Sequence, residues 1–220
     1  MKRENRDLCW RIARRAVCVA LATAVYGAVL AAWRSPRMAA YGAAKLPAVF
    51  LGTTGLVSVF CWMAGLLTGA GLRYGEVLEA VFTAMGVAGA ILVSVSPVVL
   101  FLVFSGAPDT GTSEEMRFAH ACLLGVHICV LGGAGVAGLA TLGRALRRRV
   151  PAGCRLWLMA VLWLAAFGGV GCQGGWMLRP LVGSPNIAIE FLRADALKGN
   201  FLESLFKQII PHLVHKGAVP

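Results

Sequence analysis

The chain has 220 residues, 58% of them hydrophobic and only 14% charged, with a mean hydropathy of +0.74 and a formal net charge of +11. Soluble domains carry roughly 25% charged and about 45–50% apolar residues, so this composition excludes a soluble globular enzyme, a disordered chain and a disulfide-knotted secreted domain. What remains is a protein whose solvent is largely lipid, and its Lys and Arg, clustered beside apolar runs, point to phospholipid headgroups and membrane orientation rather than to nucleic acid.

In chain order, residues 1–15 form a basic tail with Lys2, Arg3, Arg6, Arg11, Arg14 and Arg15 against Glu4 and Asp7. An uncharged run over 16–33 follows, just long enough for a hydrocarbon core of roughly 30 Å. A signal peptide is the competing reading, but the run exceeds the usual 7–15-residue apolar stretch and no clean A-x-A site directly precedes Trp33. An uncleaved span is therefore expected. Arg34, Pro36, Arg37 and Lys45 mark a short loop in which Met38 to Tyr41 lies flat at the interface. The second span is expected over 47–71. The third, over 78–104, carries Pro97, where a kink is expected because a mid-span proline frees a carbonyl that neighbours must satisfy. A polar loop with Asp109, Glu114 and Glu115 leads to the fourth span, 118–142, which is stopped by Arg144, Arg147, Arg148, Arg149 and Pro151. The fifth, 156–178, ends at Arg179-Pro180. The fold class is thus all-α, a bundle of five transmembrane helices, since lipid leaves an open chain no other way to satisfy its backbone.

With the N-terminus inside, the inner segments hold 12 Lys and Arg, the outer loops four and the outer tail five. The short-loop bias places the N-terminus in the cytoplasm and the C-terminus outside. The tail after Pro180 is too interrupted by charge to span again. Leu197, Phe201, Leu205 and Ile209 recur every four residues, which predicts a short amphipathic helix stopped by Pro211, either packed on the bundle or bound to a membrane surface or partner.

Small residues recur at four-residue spacing: Ala20, Ala24, Ala28 and Ala32 in the first span, then Gly65/Gly69, Ala84/Ala88, Ala134/Gly138 and Gly171/Gly175. Such rows let helix backbones approach, within one subunit or between copies. Ionisable groups deep in a span would signal transport. His127 alone is well inside one; it is read as a hydrogen-bonded packing residue, with a pore or proton relay as the alternative. Glu76 and Glu79 lie at the inner edge of span three, facing headgroups or nearby cations. Ser58, Ser94, Ser96, Thr53 and Thr54 are expected to bond their own helix carbonyls. Cys18, Cys61, Cys122, Cys129 and Cys172 lie in apolar runs and read as small hydrophobes, while Cys9 and Cys154 beside span ends are possible palmitoylation sites. His212 and His215 stand three apart but lack further ligands, so no metal site is expected. No GxSxG, P-loop or HExxH motif is present, and no cofactor or enzymatic activity is expected. Arg144, Arg147, Arg148 and Arg149 are candidate contacts to anionic phospholipid.

The stretch from Gln173 to Phe201 is the most distinctive. Gln173 is an amide near the outer end of span five, Trp176 suits the interface belt, Arg179 suits a phosphate or helix end, and Pro180 stops the helix. Gly183-Ser184-Pro185 is a turn, and Phe191-Leu192-Arg193 brings an apolar anchor with a charged tip, together a cap folding back on the bundle. The pattern Gln173…Trp176…Arg179-Pro180…Gly183…Pro185…Phe191-Leu192-Arg193…Asn200-Phe201 resembles one near the C-terminus of small, uncharacterised bacterial multipass membrane proteins. From Ser35 to about Phe104, the order of Tyr41, Lys45-Leu46-Pro47, a Gly-ended span and Ser96-Pro97 is similar to the Yip family. That resemblance implies five spans with a cytoplasmic N-terminus; the short N-tail and long outer tail depart from it, and no functional residue carries over. The expected function is non-enzymatic, through helix packing, self-association as a homo-oligomer, or binding of a membrane-protein partner or lipid. A small channel or transporter subunit with a pore between protomers is the alternative.

Overall fold

In the computed structural model the described residues are 2–106, 113–151, 155–179, 190–192 and 203. Each apolar run becomes a helix: α1 (Lys2–Ala31), α2 (Pro36–Leu67), α3 (Tyr74–Gly106), α4 (Ser113–Arg147) and α5 (Leu156–Met177), with no strand among the described residues. All five are long and apolar enough to cross a membrane. The shortest, α5, has 22 residues, about 33 Å at 1.5 Å per residue against a core of roughly 30 Å. Large apolar side chains such as Phe101, Phe104, Phe118 and Trp157 stand exposed around the bundle, a surface that fits lipid and not water.

Four helices extend beyond the expected runs, for identifiable reasons. The basic tail is helical and continues into α1. The loop expected from Arg34 to Lys45 shrinks to a tight turn around Arg34, because Ser35 caps α2: its backbone is extended, its Oγ accepts from the Met38 N–H at 3.1 Å, and Pro36 occupies the first turn. Met38 to Tyr41 is therefore helical, and Met38 is buried instead of lying at an interface. Pro47, the expected start of a span, lies inside α2. The Arg73 backbone N–H donates to Glu76 at 2.8 Å, closing the first turn of α3 as the return half of a capping box. α3 then runs unbroken through Pro97. Thr54, Ser58, Ser94 and Ser96 bond carbonyls three or four residues back, as expected for hydroxyls in apolar helices.

α1 packs on α2 and α3, α3 on α4, and α2 on α5, whereas α4 and α5 barely touch. Two cores result. One joins α2, α3, α4 and α5 at the end of the bundle where α1 and α3 begin, around Val57, Val81, Leu146, Met159 and Trp163. Trp163 Nε1 donates to the Cys61 carbonyl at 3.0 Å and fixes α5 on α2. The other joins α1 through α4 at the opposite end, around Tyr26, Leu30, Leu46, Leu92 and Leu123.

The small-residue rows are borne out only in part. Gly138 meets Ala84 so closely that a methyl on it would stand 3.0 Å from the Ala84 carbonyl oxygen. Gly65 and Gly69 form no row, because α2 ends at Leu67 and Gly69, at φ +76°, belongs to the turn. On α1 the closest approach is not along the alanines: Gly27 lies against Gly42 of α2, and a methyl on either would fall on the other's carbonyl oxygen.

Candidate functional site

A network of ion pairs occupies the end of the bundle where α1 and α3 begin. Glu79, in the second turn of α3, has a side chain only 12% exposed and accepts from Arg11 Nε and Arg15 Nη1 of α1, each at 3.1 Å; Arg149 Nη2 lies 3.5 Å from its other oxygen. Arg15 also reaches the Glu79 carbonyl at 3.3 Å, and Arg149 that of Glu76 at 3.4 Å. Glu76 itself pairs with Arg73 at 3.4 Å. The nearby cations expected around these carboxylates are thus four specific arginines, Arg11, Arg15, Arg73 and Arg149, from three separate parts of the chain. A lone carboxylate at the edge of a hydrocarbon layer is costly, and pairing offsets that cost.

The four arginines assigned to phospholipid separate accordingly. Arg149 is engaged by Glu79, so it serves the protein's own framework. Arg144, Arg147 and Arg148 are exposed, as is Arg155 before α5, and among the described residues none of the four meets a carboxylate. Where α4 leads into α5, one end of the bundle therefore carries, among the described residues, Arg144, Arg147, Arg148 and Arg155 without a carboxylate partner, beside the Glu79 set that is paired.

His127 is 6% exposed and sits within the bundle, where Tyr26 Oη and His127 Nδ1 are 3.2 Å apart and the two rings stack with centroids 5.7 Å apart. It is a partnered packing residue joining α1 to α4. Interhelical hydrogen bonds within membranes contribute about 0.6 kcal/mol on average and up to about 1.7. A double-mutant cycle with Tyr26→Phe and His127→Phe, read from unfolding midpoints in detergent, is expected to return a coupling energy in that range. Zero coupling would mean the two groups do not bond.

At the opposite end, Lys45 is fully buried in α2 although it was expected in a loop. Its Nζ donates to the Glu190 carbonyl at 3.3 Å and lies 5.6 Å from the centre of the Phe191 ring; Tyr41 meets the same ring edge-on at 5.4 Å. Glu190 and Phe191 therefore lie beside the first turns of α2, with Lys45 as an anchor that sequence inspection missed. Trp33 of α1 stacks at a tilt on His120 of α4, 5.6 Å between centroids. Gln173 and Trp176 are half-buried near the end of α5, and the Arg179 guanidinium lies 3.2 Å above the Trp176 ring. Pro180, Arg193, His212, His215, Cys154, Asp109 and, apart from Glu203, the amphipathic segment 197–209 lie outside the described residues. Among the described residues no three His, Cys, Asp or Glu side chains come together in a metal-holding group.

No protein-family model, curated protein or solved structure matches this chain. The class that the fold and this end define is coarse: an all-helical protein with five helices fit to cross a membrane and a strongly basic end.

Proposed function

We propose that the chain is a non-enzymatic multipass protein, resembling the Yip family in its span count, that holds anionic phospholipid at its basic end. It sits in a bacterial cytoplasmic membrane with that end inside and the segment after α5 outside. One observation carries this reading: Arg144, Arg147, Arg148 and Arg155 are exposed where α4 leads into α5, with no carboxylate beside them among the described residues, while Arg149, Arg15 and Arg11 nearby are paired with Glu79. Basic residues at a membrane surface each contribute about 1 kcal/mol of attraction to anionic lipid.

Replacing Arg144, Arg147 and Arg148 with glutamine removes about 3 kcal/mol on that scale. Phosphatidylglycerol retained after mild detergent extraction, counted by native mass spectrometry, is expected to fall by more than tenfold. Unchanged retention would refute the proposal. A pore between protomers is the weaker reading, because His127, its candidate relay, is buried against Tyr26 within one chain.

A further inference from the structure

α4 and α5 come together only near their connecting loop, and they separate above the core formed by Leu146, Met159 and Trp163. Between them, floored by α2 and α3, lies a cleft of about 410 Å³. Its lining is hydrocarbon: among the lining side chains only Thr53 carries an oxygen. Glycines create much of the space. Gly132, Gly135 and Gly168 line the cleft, and a Cβ added to any of them would meet nothing within 4 Å. A cleft that glycines keep empty along two membrane helices is open to whatever lies beside them in the bilayer.

Its dimensions select the occupant. A helix about 10 Å across fills 410 Å³ in a single turn of about 5.4 Å, too short a seat for a second copy's helix. The α4 lining runs from Leu131 to Leu142, about 16 Å along the axis and so about half of a hydrocarbon core of roughly 30 Å. The same volume over that length leaves a cross-section of about 25 Å², the calibre of one extended acyl chain.

The entrance is charged. Gly132, Val136, Leu139, Gly143 and Arg147 follow one another on α4 at spacings of four, three, four and four, one continuous stripe on a helix. The stripe leads out of the cleft to Arg147, which lies about 7.5 Å beyond Leu142 along the axis. On the α5 side, Trp157, Val161 and Leu164 are exposed at helical spacing and form an apolar track from the loop to the cleft.

We infer that this cleft holds one acyl chain of an anionic phospholipid whose phosphate sits on Arg147, with Arg144 and Arg148 beside it. The inference rests on the reading of the basic end as a lipid site and adds to it a defined seat for the chain.

The full chain, reconstituted in vesicles of equal parts phosphatidylglycerol and phosphatidylcholine and extracted in mild detergent, tests it by native mass spectrometry. Gly135→Leu and Gly168→Leu fill the cleft and are expected to lower retained phosphatidylglycerol at least fivefold. Gly55→Leu, on the exposed outer face of α2 with nothing near its Cβ, is expected to leave it unchanged. Arg147→Gln is expected to abolish the preference for phosphatidylglycerol over phosphatidylcholine. Thermal midpoints identify which variants fold, and the comparison is made on those. Wild-type retention in both folded cleft variants overturns the inference, as does an equal fall in Gly55→Leu. If lipid is lost only when Arg144, Arg147 and Arg148 are replaced together, the basic end stands as a lipid site and the cleft does not. Retention unaffected by that triple replacement removes both. Loss of a dimer in Gly135→Leu with lipid unchanged would assign the cleft to a second copy and also overturn the inference.

Discussion

Gly27→Leu is expected to abolish the folded bundle, and Gly27→Ala to lower its stability by about 2–3 kcal/mol, the upper range for overpacking a tight interior. The Cβ added at Gly27 would fall on the Gly42 carbonyl oxygen and stand 2.9 Å from the Gly42 carbonyl carbon and 3.0 Å from Leu46 Cβ. The first two are backbone atoms and cannot rotate aside, so the whole of α1 must move away from α2. That pair forms the largest helix contact in the bundle. Between helices in lipid no hydrophobic force compensates for lost packing, because lipid tails are as apolar as the side chains. The same argument applies to Gly42→Ala, whose Cβ would stand 2.9 Å from Ala31 Cβ as well as falling on the Gly27 carbonyl oxygen. Unfolding midpoints of detergent-solubilised protein are the measurement. A Gly27→Ala variant within a few tenths of a kcal/mol of wild type would show that α1 and α2 do not approach this closely.

The second large effect is expected at Glu79. Removing one partner of a buried charge network typically costs about 3–5 kcal/mol, because the remaining charges lose compensation. Here the carboxylate is 12% exposed, but its three arginines are 30–49% exposed, so solvent takes up part of the loss. Glu79→Ala is expected to destabilise by about 2 kcal/mol after that discount. Glu79→Gln keeps an acceptor oxygen and is expected to lose about half as much. Pairing Glu79→Gln with Arg149→Gln separates framework from lipid: the two changes are expected to be less than additive if Arg149 acts through Glu79. Full additivity, read from the same unfolding midpoints, would return Arg149 to the lipid-binding set.

The five helices were legible because hydropathy over about 20 residues is a long, redundant signal that single residues cannot mask. Their ends were less so, because they are set by local chemistry that overrides composition. Ser35 followed by Pro36 reads as a loop when charges are counted and as a cap when hydrogen bonds are counted; the cap prevails, and α2 starts 11 residues before the span expected from Pro47. The basic tail joins α1 because Arg11 and Arg15 have a partner in Glu79, 64 or more residues away. Lys45 is hidden for the same reason: its acceptor, the Glu190 carbonyl, is 145 residues distant. His127 and the hydroxyl residues were legible as packing groups, since an unpaired polar atom in hydrocarbon is too costly to keep. The Gly27–Gly42 contact was not, because a spacing of four shows that residues share a face without showing which face meets a backbone. The cleft was invisible for a related reason. It depends on the angle between α4 and α5, which no repeat in either helix encodes.

In the proposed topology the chain crosses the bilayer an odd number of times, so that its basic end and the segment after α5 lie on opposite sides. Paired reporter fusions in a bacterial host measure this directly, with alkaline phosphatase and a green fluorescent protein joined after Arg149 or after Pro220. Fluorescence without phosphatase activity is expected at Arg149, and phosphatase activity without fluorescence at Pro220. Fluorescence at both positions would place the two ends on the same side and contradict this topology.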